Sequence, residues 1–127
     1  MLKAFATYLS TVAGLTIGTD LFAGSRPANA PDFCTTLLER GPEIPDDYNK
    51  RRREKSIQLL TRGGDYFEAR DESNRLFELL VGKQTTGVAI SGWVIHTITG
   101  IAPQFLSEDQ RGRFEFSTNL VVRIKET

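Results

Sequence analysis

The sequence predicts an α+β fold: a mostly antiparallel sheet flanked by two α-helices, with a projecting hairpin or loop. Three observations carry this expectation. Leu2, Phe5, Leu9 and Val12 recur at helical spacing. Asp65 stands three residues before Glu68, the capping-box spacing, and Ala69, Ser73, Leu76, Phe77 and Leu80 follow at helical intervals. Phe114, Phe116, Thr118, Leu120, Val122 and Ile124 alternate with Arg113, Glu115, Ser117, Asn119 and Arg123, the period of a half-buried strand. The order helix, strands, helix, strands sets helices against a sheet. The length, 127 residues, suits one domain over 1–127, since two would leave neither a proper core.

Along the chain, a first helix is expected over Leu2–Ala13, ended by Gly14 as a left-handed cap. A short strand is expected around Leu21–Phe22. Ser25–Pro31, with two prolines and an Asn, reads as a loop. Phe33–Glu39 is a strand candidate with Phe33, Thr35 and Leu37 on one face. Arg40–Asn49 carries Gly41, Pro42, Pro45 and the pair Asp46-Asp47, and predicts an exposed acidic connection. It runs into the basic Lys50-Arg51-Arg52-Arg53. A strand then covers Glu54–Arg62, with Ile57 and Leu59 on one face. Gly63-Gly64 breaks it, and the second helix follows until a stop at Gly82. Val88–Ile101 reads as a strand with Trp93, Ile95, Thr97 and Thr99 opposite Val94, His96 and Ile98. Ala102–Gly112 reads as a turn region. The final strand is long, and as an uncovered edge it would invite pairing with another chain. Leu76, Phe77 and Leu80 are expected to pack beside its Phe116, Leu120 or Val122.

Composition excludes several function classes. Lys+Arg and Asp+Glu both number 16, so the formal net charge is zero and no basic nucleic-acid coat is indicated. One cysteine leaves no intramolecular disulfide framework or Cys-rich zinc site, and one histidine argues against a His-based metal centre. No cofactor is expected. Met1–Ala30 has Lys3 and Ala28-Asn29-Ala30, as a secretory signal would. Thr7, Ser10, Thr11, Thr16 and Asp20 interrupt the apolar core a signal needs, so a core-packed amphipathic helix is the expectation. No apolar run is long enough for a membrane span.

No catalytic site is expected. A Cys34–His96 nucleophilic pair would need a thiolate beside an oriented imidazole, and nothing in the spacing brings them together. Thr61-Arg62-Gly63-Gly64 before a helix invites a phosphate cradle. No Lys-Ser/Thr pair follows, and the Asp65 carboxylate would take the free N–H groups itself. Asp46, Asp47, Tyr48, Lys50, Arg51, Arg52 and Arg53 remain the candidate protein interface. The basic run lacks aromatic interleaving beyond Tyr48 and is flanked by acids, which suits a protein–protein contact better than nucleic acid.

Several stretches, in their order and spacing, resemble the tail terminator (tail-completion, minor capsid) proteins of long-tailed bacteriophages. They are the amphipathic N-terminal helix and Pro-containing loop, Ser56–Gly64 turning into the helix Tyr66–Leu80, and Pro103–Leu120 with its Gly112-Arg113-Phe114 step. The resemblance spans about Phe5 to Ile124. It implies a non-enzymatic virion protein whose ring, of six subunits, caps the head-proximal end of the tail tube and ends its polymerisation. It implies as partners further copies of itself, the tail tube protein and a head-completion or neck protein. DNA would pass through the ring without sequence-specific binding, and no membrane is involved. Another head–tail connector, a tube-like subunit and a small nucleic-acid-binding module are the alternative readings.

Overall fold

The computed structural model describes residues 1–42, 44–45, 51–81, 88–90 and 92–127. Helix α1 (Leu2–Ala13) buries Phe5, Leu9 and Ala13, spaced four apart on one stripe, while Val12 is exposed. Gly14 ends it in the left-handed region, φ 73°, where a side chain would be strained. Helix α2 (Tyr66–Leu80) starts at Asp65, whose carboxylate accepts from the Glu68 N–H at 2.9 Å. The Glu68 side chain reaches back to the Gly64 N–H at 3.2 Å, so two orphan donors are satisfied. Arg75 of α2 donates to the Ala13 carbonyl at 3.0 Å and ties the two helices together. The expected stop at Gly82 lies outside the described residues; the helix itself ends at Leu80.

Among the described residues seven strands form one sheet: β1 (Leu21–Ala23), β2 (Cys34–Glu39), β3 (Ile44–Pro45), β4 (Arg52–Gly63), β5 (Val88–Ile90), β6 (Trp93–Glu108) and β7 (Phe114–Glu126). The order is β1-β2-β4-β7-β6-β5, with β3 beside β4. β1 and β2 run parallel; the other pairs are antiparallel. The pairs Leu37↔Leu59 and Ile57↔Leu120 place these side chains on one face. Phe5, Leu9, Leu76 and Leu80 join them in one core, so both helices cover the same face. Gly63 lets α2 come close: a Cβ there would stand 2.8 Å from the Ala69 backbone nitrogen.

Four expectations change. The last strand is not an edge: β7 lies between β4 and β6 and is hydrogen-bonded on both sides. Ala102–Gly112 is not a turn region: β6 continues to Glu108, and the turn is only the few residues around Asp109 and Gly112. Pro103 is tolerated because it falls in a bulge between Ile101 and Gln104. Two further bulges, at His96 and Leu106, shift β6 against β7, so Ile95 and Ile98 both face the core. Finally, Phe77 is only half-buried, leaving Leu76 and Leu80 as the helix's core contacts.

The loop between β1 and β2 folds over the opposite face. The buried Arg62 guanidinium donates to the carbonyls of Pro31 at 2.7 Å, Asp32 at 3.1 Å and Ala30 at 3.3 Å. Arg26–Glu115 at 3.4 Å and Arg113–Asp32 at 3.5 Å add ion pairs. Gln58 bridges Arg40 and Ser117, at 2.5 and 2.6 Å.

Candidate functional site

Asp46, Asp47, Tyr48 and Lys50 of the predicted interface lie outside the described residues. Arg51, Arg52 and Arg53 do not form a loop arm. Arg51 abuts β4, its carbonyl accepting from the Glu126 N–H at 2.8 Å, and Arg52 and Arg53 open the strand. Successive strand residues face opposite ways, so the run divides. Arg52 shares a face with its register partner Lys125, and with Glu54 and Arg123, which form an ion pair at 3.1 Å. Arg53 lies opposite Ile124 on the helix-bearing face. The missed signal was the hydrogen-bonding reach of β4, two residues longer than its apolar pattern. Ile44 and Pro45 pair with Glu54 and Arg53, an antiparallel pairing that continues the sheet toward the connection.

Here the surface opens into a cavity of ≈ 220 Å³ lined by Arg52, Arg53, Glu54, His96 and Arg123. The His96 Nε2 atom is buried, with no hydrogen-bond partner among the described residues. Three arginines and one glutamate line it, and Arg123 and Glu54 are paired to each other at 3.1 Å.

The structure separates Cys34 from His96. Cys34 pairs with Arg62, which pairs with Glu115, whereas His96 bulges beside Arg123. Those two rows are eight residues apart along β7, roughly 26 Å at about 3.3 Å per residue. Burial pushes the Cys34 thiol up from its ordinary pKa, although Arg62 and Arg26 oppose the shift. A buried neutral thiol far from the imidazole is not an activated nucleophile. Asp65 occupies the N–H group that a phosphate would need after Gly63-Gly64. Among the described residues, no three His, Cys, Asp or Glu side chains gather as a metal site would require. No described helix is long and apolar enough to cross a membrane.

A second surface escaped the sequence reading. Tyr66, at the start of α2, packs against Phe116, Phe105 and Phe114, with ring centroids 5.3, 5.7 and 6.1 Å away. Phe67 meets Tyr66 edge-on and carries the Arg70 guanidinium 5.1 Å from its ring centroid. Phe116 is buried, but Phe67 is 61% and Phe105 49% exposed. Five aromatics from three distant stretches cannot be grouped by spacing alone. The available hint was the uncharged run Thr97–Ser107 in a chain that is 25% charged.

The family model for the bacteriophage tail terminator protein matches residues 8–126. The chain belongs to that family. The tail terminator match takes in the second half of α1, all of α2 and every described strand, in keeping with the resemblance seen in the sequence. No curated protein matches the chain. Among solved structures, a chain from the virion of a native gene transfer agent (GTA) particle shares its fold. Its TM-score is 0.65 at 10% identity, over 92% of this chain and 84% of that one. This family member is a phage virion structural protein.

Proposed function

We propose that this tail terminator family member forms a closed ring, of six subunits by family expectation. The ring caps the head-proximal end of the tail tube, stops its polymerisation and offers the face to which the filled head attaches. The observation that carries the reading is the family match over residues 8–126. The protein is a single domain that acts by binding, not by catalysis. Its partners are other copies, the tail tube protein and a head-completion or neck protein, and DNA crosses the ring without sequence-specific contacts. The connection from Asp46 to Arg53, acidic and then basic, is the contact to a neighbouring subunit or to the tube. Arg52, on the face with Lys125 and Arg123, is exposed.

Electron microscopy of purified tails tests this. One extra ring at the head-proximal end is expected. Density for this chain along the whole tube would make it a tube subunit, and its absence from tails would remove the reading. Arg52→Glu should leave the monomer folded and lower the yield of completed tails. Normal titre with that variant would reduce the charged run to a solvated surface.

A further inference from the structure

Within the virion role just proposed, on which this inference rests, we propose that the outer edge of β6 from Ile101 to Glu108 pairs with an extended segment of a second copy of this chain. β7 bonds β6 along one side. On the other side β5 covers only Trp93–Ile95. Beyond that, the outward N–H and C=O groups of β6 have no strand partner among the described residues, which makes a template for another strand.

Natural edges are blunted by lysines, inward charges, prolines, bulges or short length. This edge has Pro103 and the bulges at Pro103 and Leu106, but no charged side chain before Glu108. Trp93–Ser107 contains no Asp, Glu, Lys or Arg, and Pro103 is its one strand-breaking residue. Instead the edge carries apolar side chains, with Ile101 64% and Leu106 52% exposed. Ile101 lies on the face away from the helices, opposite Asn119, while Phe105 lies on the helix face opposite Phe116. An added strand would thus gain main-chain hydrogen bonds and apolar contacts on both faces. The Tyr66–Phe105 shelf would receive its alternate side chains.

The occupant is argued from charge and from the other end of the sheet. An uncharged edge selects no strongly charged partner, and this chain is neutral overall. At the far edge, Leu21 of the short β1 is already bonded by the turn before it: its N–H donates to Thr16 at 3.2 Å, and its carbonyl accepts from Gly18 at 2.8 Å. One molecule therefore presents unlike edges, as head-to-tail closure requires. β6 meeting β6 would instead give a two-fold dimer that stops at two copies.

The test is hydrogen–deuterium exchange read by mass spectrometry at rising protein concentration, with light scattering for mass. Amides within Ile101–Glu108 should slow about ten-fold or more as multimers form, with α1 amides unchanged. The double variant Ile101→Lys, Leu106→Lys, at two exposed edge positions, should stay monomeric at concentrations where the wild type assembles. Val12→Lys, an exposed apolar position on α1, should assemble normally, and all three should share one thermal midpoint. Multimers with unchanged exchange at this edge would overturn the proposal. So would a chain that stays monomeric at every concentration, or protection that appears only when tail tube subunits are added. A dimer protected at the edge would uphold the pairing and count against the ring. Tail microscopy judges the ring separately.

Discussion

Two parts of one sheet are built in opposite ways. Where β2, β4 and β7 lie side by side, helices cover one face and the β1–β2 loop covers part of the other, so Leu37, Leu59, Thr61 and Leu120 are almost fully buried. In the outer arm of β6, every residue from Thr99 to Glu108 is exposed except the half-buried Pro103. The arm is held by its bonds to β7 and by the contact of Phe105 with the aromatic cluster. The first part is enclosed by a core. The second has strand geometry with little buried around it, which fits the edge pairing proposed above. Stability and assembly are thus assigned to different residues, and substitutions should separate them.

The largest expected effect is in the covered part. Leu76→Ala removes a fully buried side chain and should cost about 2–5 kcal/mol, read as a lower denaturant midpoint. Phe77→Ala, at a half-buried position, should cost clearly less. Equal midpoints for the two variants would erase the distinction between core and rim on α2.

A smaller effect is expected on the other face. Arg62→Ala leaves three loop carbonyls without their buried donor and should cost about 1–3 kcal/mol. Proteolysis should then quicken within residues 24–33 and not in the helices. Unchanged cleavage there would mean that the loop holds its place without Arg62.

The smallest effect is at the tip of the arm. The Arg113 backbone N–H, against an opposing desolvation and helped by the Arg113 guanidinium and the Arg111 N–H, holds the Asp109 carboxyl below its ordinary range. A depressed folded pKa contributes stability that is present above the unfolded pKa and lost as pH falls through the folded one. The turn should therefore loosen only in acid, below the usual aspartate range. The Arg111 and Arg113 amide NMR signals should move together there, and Asp109→Asn should abolish that titration. A transition near neutrality would point to another group.

How much of this was legible depended on range. Gly14 as a cap, the Asp65–Glu68 box and the alternation of Phe114–Ile124 are local signals, and the structure agrees with each. β6 was misread because its three bulges break the alternation on which strand reading rests: Ile95 and Ile98 are three apart yet both buried. Pro103, Asp109 and Gly112 then read as one turn region. The place of β7 in the sheet was illegible for another reason. Alternation reports that one face is covered and says nothing about which strands lie beside it. Of the candidate interface, the charges were visible but their division between two faces was not, since it follows from where β4 begins pairing. The shelf of Tyr66 and Phe105 exists only once α2 and β6 are brought together.

The strand at the centre of the sheet is also the last one made. β4 must wait for β7, roughly fifty to seventy residues later, whereas β6 and β7 are joined by a tight turn and meet early. Until Phe114–Glu126 leaves the ribosome, Ile57 and Leu59 have no neighbour on that side and the sheet cannot close. Completion then comes in one step, as the hairpin inserts its β7 side against β4. A chain cut short before Phe114 lacks the middle of its sheet rather than a dispensable end. Such a chain is expected to stay unfolded, because the strand it lacks is the one that joins β4 to β6.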